Sequence, residues 1–141
     1  VAAIILPPRA REEKEMTEGD GYTVLNRDEF EQMEGSGECS WGLARKSLGV
    51  GAFGMNLVEI GPGGQIPEHD ESGRDHEEVF IVWDGDGTAV IDGTETEAPR
   101  GTFVRVSPEV RRTIRNDGDA NLRVLIVSAP RSSGYEPMGW G

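Results

Sequence analysis

Apolar and polar positions alternate in short runs along most of the chain, and a turn signal closes each run. Six runs predict strands: Phe53–Ile60, Glu78–Trp83, Thr88–Ile91, Thr102–Val106, Arg111–Arg115 and Leu122–Ser128. Between them stand Gly61-Pro62-Gly63-Gly64, Asp84-Gly85-Asp86-Gly87, Asp92-Gly93, Pro99-Arg100-Gly101, Pro108 and Asn116-Asp117-Gly118-Asp119. Short strands spaced by turns at about 8–12 residues describe an all-β sandwich or barrel. Asp92-Gly93 is a tight hairpin signal, because both residue types tolerate the positive φ that such a turn needs. No internal repeat is visible, so the pattern describes one such unit.

The text before Trp41 reads differently. Val1–Leu6 predicts a strand that Pro7-Pro8 ends, and Arg9–Asp20 is a charged, solvated tether. Such a strand needs a partner, either a sheet edge of its own domain or one of a neighbouring subunit. Asp28–Glu34 is the best helix candidate, with Asn26 or Asp28 as its cap and Gly35 as its stop. The expected organisation is an N-terminal arm over 1–40, a β-domain over 41–130 and a Gly/Pro-containing tail over 131–141. The whole chain needs at most one or two short helices.

Strand alternation assigns faces. In Glu78–Trp83 one face carries Glu78, Phe80 and Val82 and the other Val79, Ile81 and Trp83. Both are apolar apart from Glu78, so both call for cover, the second by another sheet, the arm or a partner subunit. This is the sequence argument for a homodimer. In the run ending at Asn116, Val110, Arg112 and Ile114 share the more apolar face, which places a guanidinium inside. An unpaired buried charge costs several kcal/mol. Two inward charges of opposite sign, Glu78 and Arg112, should therefore meet.

The bulk numbers narrow the partners. A net charge of −12 repels phosphate backbones and anionic bilayers, so neither nucleic acid nor membrane is expected. No run approaches the roughly 20 apolar residues that span a bilayer. Val1–Leu6 is too short for a secretory signal and lacks a basic leader. The single cysteine, Cys39, reads as a free thiol in a reducing compartment, and the expected location is cytoplasmic. Gly49-Val50-Gly51-Ala52-Phe53-Gly54 matches a dinucleotide-binding string but precedes a strand-like run, so the match is set aside.

The spacing of Gly, His, Glu and Pro resembles the cupin superfamily. That family's first motif is Gly, five residues, His-x-His, three or four residues, Glu, six residues, Gly. Here Gly63 is followed by five residues and His69, and Glu71 stands at the second His. Glu78 is followed by six residues and Gly85, after a connection two or three residues longer than the pattern. In the second motif Gly101, Pro108 and Asn116 match, Val110 replaces a glycine, and Arg112 stands at the His. The resemblance covers residues 41–130 and implies an antiparallel jelly-roll β-barrel, often dimeric, that commonly holds Fe, Mn, Ni, Zn or Cu through three His and one Glu. Its members include dioxygenases, isomerases, decarboxylases, epimerases and ligand-binding domains.

Two of those four ligand positions are changed, and arginine cannot ligate a metal. The resemblance therefore leaves three readings, the last of them a structural or assembly domain with a vestigial pocket. In the first, His69, Glu71 and Glu78, with His76 as a substitute ligand, hold one divalent metal (Fe, Mn, Ni or Zn), and Arg112 binds the acid group of a carboxylate-bearing small molecule. His69 or Glu78 would then be the acid/base group. In the second, the Glu78–Arg112 ion pair and His69 shape a metal-free pocket for binding or sensing. Whether the protein is an enzyme stays open at this point.

Overall fold

The structure is a computed structural model that describes residues 4–6 and 17–141. The expected breaker Pro7-Pro8 and the tether as far as residue 16 lie outside the described residues. In chain order the strands are β1 (Ile4–Leu6), β2 (Thr17–Gly19), β3 (Tyr22–Val24), β4 (Gln32–Glu34), β5 (Cys39–Gly42), β6 (Gly54–Ile60), β7 (His76–Asp84), β8 (Gly87–Ile91), β9 (Thr94–Ala98), β10 (Phe103–Val106), β11 (Arg112–Arg115) and β12 (Leu122–Pro130). One short α-helix, α1 (Ala44–Leu48), joins β5 to β6.

All strand pairs are antiparallel. The larger sheet runs β1-β4-β5-β6-β12-β7-β10, the smaller β11-β8-β9, and β2-β3 forms a separate hairpin. The two sheets face each other across one apolar core. Val58, Ile60, Phe80, Val82, Val106, Leu122 and Val124 enter it from the larger sheet, and Ala89, Ala98 and Ile114 from the smaller. This is the expected jelly roll. β1 lies on the outer edge of the larger sheet, in register with β4 from Ile4↔Glu34 to Leu6↔Gln32.

The six expected strands occur, most of them one or two residues longer or shorter. Asp92 and Gly93 form the two-residue turn between β8 and β9, with φ of 52° and 82°. That is the double positive φ of a type I′ turn.

The expected helix over Asp28–Glu34 is replaced by a single 3-10 turn, Arg27–Glu29, followed by β4. Asn26 does cap the turn: its side chain accepts from the Asp28 amide, while Glu29 accepts from the Asn26 amide. A helix this short has little stability of its own, so tertiary partners decide its conformation. Residues 32–34 instead find strand partners on both sides, β1 and β5. The helix that does form, α1, ends at Gly49 (φ 77°), whose amide donates to the Arg45 and Lys46 carbonyls. The first glycine of the dinucleotide-like string is thus a left-handed helix stop.

The connection from β6 to β7 matters most for the site. Gly63 to His69 runs antiparallel to β11 and adds a ragged fourth strand to the smaller sheet, with bridges Gln65↔Arg115 and His69↔Arg112. The Ile66 amide donates to the Ile114 carbonyl, and His69 and Arg112 exchange both backbone bonds, at 3.2 and 2.9 Å. The buried Thr113 hydroxyl donates to the Ile66 carbonyl and fixes the same segment from the side.

Candidate functional site

The burial pattern of β7 confirms the face assignment: Glu78, Phe80 and Val82 are buried, whereas Val79, Ile81 and Trp83 are only half-buried. Arg112, at the start of β11, is fully buried. The two inward charges meet: Arg112 Nε donates to Glu78 Oε1 at 3.1 Å, and Nη2 lies 3.0 Å from the same oxygen. The contact at Nη2 is ionic, because that group is not directed along a hydrogen-bonding line. Nη1 donates to the Val110 carbonyl at 2.5 Å, with the Pro108 and Ser107 carbonyls at 3.4 and 3.5 Å. The guanidinium is thereby held by a turn that Pro108 shapes and by one carboxylate.

His69 sits at the mouth of this arrangement. Its Nδ1 is 2.7 Å from the Pro67 carbonyl oxygen. A carbonyl only accepts, so Nδ1 carries the proton. The neutral ring then turns the lone pair of Nε2 towards Glu78 Oε1, 3.6 Å away. A lone pair facing a carboxylate is stabilised by a cation between or upon them, either a proton on Nε2 or a metal ion. The His69 pKa is accordingly raised, chiefly by its contact with Glu78, against an opposing effect of burial. For Glu78 burial alone would raise the pKa, but His69 and Arg112 outweigh it and hold the carboxyl below its ordinary value.

Glu71 completes a cluster. One donor atom each from His69, Glu71 and Glu78 lies within 4.8 Å of the others. His76 stands behind Glu71, with Nδ1 3.9 Å from its Oε1. Its ring is half-buried against the cluster rather than solvated in the acidic run around it. The Glu71 amide donates to the Pro108 carbonyl at 2.7 Å, tying the loop that carries the cluster to the turn that holds Arg112. The donor set fits a hard divalent cation: one imidazole whose free nitrogen is already aimed, and two carboxylates. Arg112 offsets one of the two negative charges.

Several supports were not legible from the sequence. The Pro67 carbonyl selects the His69 tautomer, and no side-chain pattern announces a backbone acceptor. Asn116 has a visible motif position, but its role is that of a brace. Its Nδ2 donates to the Ile60 and Ala120 carbonyls, both at 2.8 Å, and its Oδ1 accepts from the Gly118 amide at 3.0 Å. Cys39 is buried against the Gly37 and Gln65 carbonyls, and burial, with Glu38 adding to it, pushes its thiol up to about 11. It is an inert core thiol.

Two facing antiparallel sheets with a His–Glu cluster and a buried Glu–Arg pair define a jelly-roll protein with a polar interior site. The cupin domain model matches residues 56–128, more than half of the chain, and the protein belongs to that family. A cupin protein from Bacteroides fragilis superposes with a TM-score of 0.66 at 18% identity, over 85% of this chain and 92% of that one. A predicted oxalate decarboxylase from Thermotoga maritima gives 0.66 at 16% identity, over 76% and 98%. A sugar phosphate isomerase of the cupin superfamily from Silicibacter pomeroyi gives 0.59 at 22% identity, over 65% of this chain but only 59% of that one. At these identities the likeness is one of fold. No curated protein sequence matches the chain. Among the described residues no helix is long and apolar enough to cross a membrane.

Proposed function

We propose that this cupin binds one divalent metal ion through His69, Glu71 and Glu78, and uses it to hold an oxygen-bearing small molecule. The observation that carries the reading is the fixed His69 tautomer: Nδ1 is committed to the Pro67 carbonyl, Nε2 faces Glu78, and one donor atom each from His69, Glu71 and Glu78 lies within 4.8 Å of the others. The ion, when bound, would polarise an oxygen of the ligand. The rest falls to the chain's own side chains. Glu78 is oriented by Arg112, which we read as a positioning residue, because a carboxylate ligand could reach its guanidinium only by displacing Glu78. His76 backs Glu71 and is its substitute as a ligand. Two fold neighbours, a sugar phosphate isomerase and a predicted oxalate decarboxylase, support small oxygen-rich molecules as the class to try first.

One observation favours a second reading, a metal-free binding module. Arg112 already neutralises Glu78 at the oxygen that faces His69. The same experiment separates the two. Metal-free protein is heated with Mn, Fe(II), Ni or Zn salts, with and without small acids and sugars, beside His69→Ala. The metal reading expects at least one ion to raise the melting temperature of the parent and not of His69→Ala. If acids or sugars stabilise the protein while every ion leaves both proteins unchanged, the module reading replaces it.

A further inference from the structure

The loop that carries Glu71 is gripped from outside by an arginine that the cluster itself does not include. β12 ends at Pro130, which lies opposite His76. The next residue, Arg131, continues the ladder, and its amide donates to the Asp75 carbonyl at 3.1 Å. Its side chain turns to the same residue: Nε and Nη2 both donate to Asp75 Oδ1, at 3.2 and 2.8 Å. Nη2 also lies 3.6 Å from Glu109 Oε2. One guanidinium thus joins the end of β12, the 70–75 loop and the 107–110 turn.

Both gripped segments lead to the cluster. Asp75 directly precedes His76, and the Arg74 amide beside it donates to the Glu71 carbonyl at 3.0 Å. Glu109 lies in the turn whose Val110 carbonyl accepts from Arg112 Nη1 and whose Pro108 carbonyl accepts from the Glu71 amide. Glu71 is therefore suspended between an anchor at its own amide and a second at Asp75. Asp75 has φ of 54°, in the left-handed region, where a residue with a side chain stays only if its surroundings enforce it. Arg131 supplies that enforcement through its backbone and its side chain together.

Overall stability is a poor explanation for this bridge. The side chains of Arg131, Asp75 and Glu109 are 50%, 50% and 59% exposed, and ion pairs so open to water add little to folding. Restricting two loops that carry or brace donor groups is a different matter, because donors fixed in advance lose less freedom when they bind.

We infer that Arg131 is a positioning residue: its bridge to Asp75 and Glu109 holds the Glu71 loop against the turn that grips Arg112, and so fixes Glu71 and His76 beside the cluster. Its effect on ion binding rests on the metal site proposed above, whereas the holding of the loop does not.

Amide hydrogen exchange by NMR on the metal-free full chain tests the holding in the parent, Arg131→Gln, Arg131→Lys and Arg115→Gln. Arg115 bridges Asp117 and Glu95, acids that the cluster does not use, and serves as the control. In Arg131→Gln the Glu71, Arg74 and Val110 amides should exchange about fivefold faster, with strand amides of the core unchanged. Arg131→Lys, which keeps the charge, should recover part of the slow exchange, and Arg115→Gln should match the parent at these amides. Titration with Mn or Zn salts supplies the second readout, with affinity expected to fall about tenfold in Arg131→Gln. Because the bridge is exposed, added salt should weaken ion binding more steeply in the parent than in Arg131→Gln. Circular dichroism identifies a variant that fails to fold, and Asp75→Asn, which removes the other half of the bridge, then takes its place. A parent that binds no ion removes the metal reading, and the exchange rates then decide the role of Arg131 alone. Unchanged exchange at Glu71, Arg74 and Val110, or equal acceleration along the whole chain, overturns the proposal. So does an ion affinity that is the same in an ion-binding parent and in Arg131→Gln.

Discussion

Arg112 and Glu78 form a buried ion pair in which Nε and Nη2 approach a single carboxylate oxygen, Oε1, at 3.1 and 3.0 Å. The two residues are 34 positions apart and lie on different sheets, so the pair fastens one sheet to the other at the mouth of the core. Burying two charges is costly, and removing one partner leaves the other unmatched in a place water reaches poorly.

Arg112→Met should therefore destabilise the protein by about 3–5 kcal/mol, whereas Arg112→Met combined with Glu78→Leu should regain much of that loss. Urea unfolding of the two single variants and the double variant checks it. Additive losses would mean that the pair is not coupled.

The same pair and His69 set a pH dependence for the metal-free protein. Glu78 has a depressed folded pKa, so its contribution is present above the ordinary carboxylate range and fades as pH falls through the folded value. His69 has a raised folded pKa, so its contribution is complete below the ordinary 6.5 and fades as pH rises through the folded value. Stability should thus decline on the alkaline side of 6.5 in the parent and less steeply in His69→Gln. Denaturation free energies across this range, with the His69 ring proton shifts followed by NMR, give both readings. Parallel curves for the two proteins would refute the coupling of His69 to Glu78.

Asn116→Ala should cost about 2–3 kcal/mol without altering the His69–Glu78 contact. It leaves the Ile60 and Ala120 carbonyls and the Gly118 amide without their side-chain partner. A loss in unfolding free energy with an unchanged His69 titration is the expected combination. A shifted titration would move Asn116 from brace to site.

Gly85→Ala should destabilise by more than about 1 kcal/mol. Gly85 has φ of 83°, and an added Cβ would lie 2.8 Å from the Asn121 carbonyl oxygen. Thermal unfolding checks this directly, and a neutral substitution would show that the turn has room to relax.

These residues also show what the sequence revealed and what it withheld. Alternation within each strand was enough to put Glu78 and Arg112 inside, because one strand's period decides its own faces. The spacing of Gly63, His69, Glu78 and Gly85 was enough to suggest the family and its jelly roll. Asn26 was recognisable as a cap, but whether 32–34 continued as helix depended on β1 and β5, which are distant in sequence or on the far side of a turn. α1 escaped notice because its start lacks a side-chain cap and its stop, Gly49, was embedded in a glycine-rich string. The His69 tautomer was out of reach for a similar reason: it rests on a backbone carbonyl placed by the bridge to β11, a tertiary contact.

The metal site we propose at His69, Glu71 and Glu78 has a direct chemical signature. Elemental analysis of protein purified without chelator, reloaded with each of Mn, Fe, Ni and Zn and then freed of excess ion, tests it most directly. Close to one retained ion per chain is expected in the parent, with a clear loss in His69→Ala and Glu78→Gln. Retention of no ion by the parent, or equal retention by all three proteins, would contradict it.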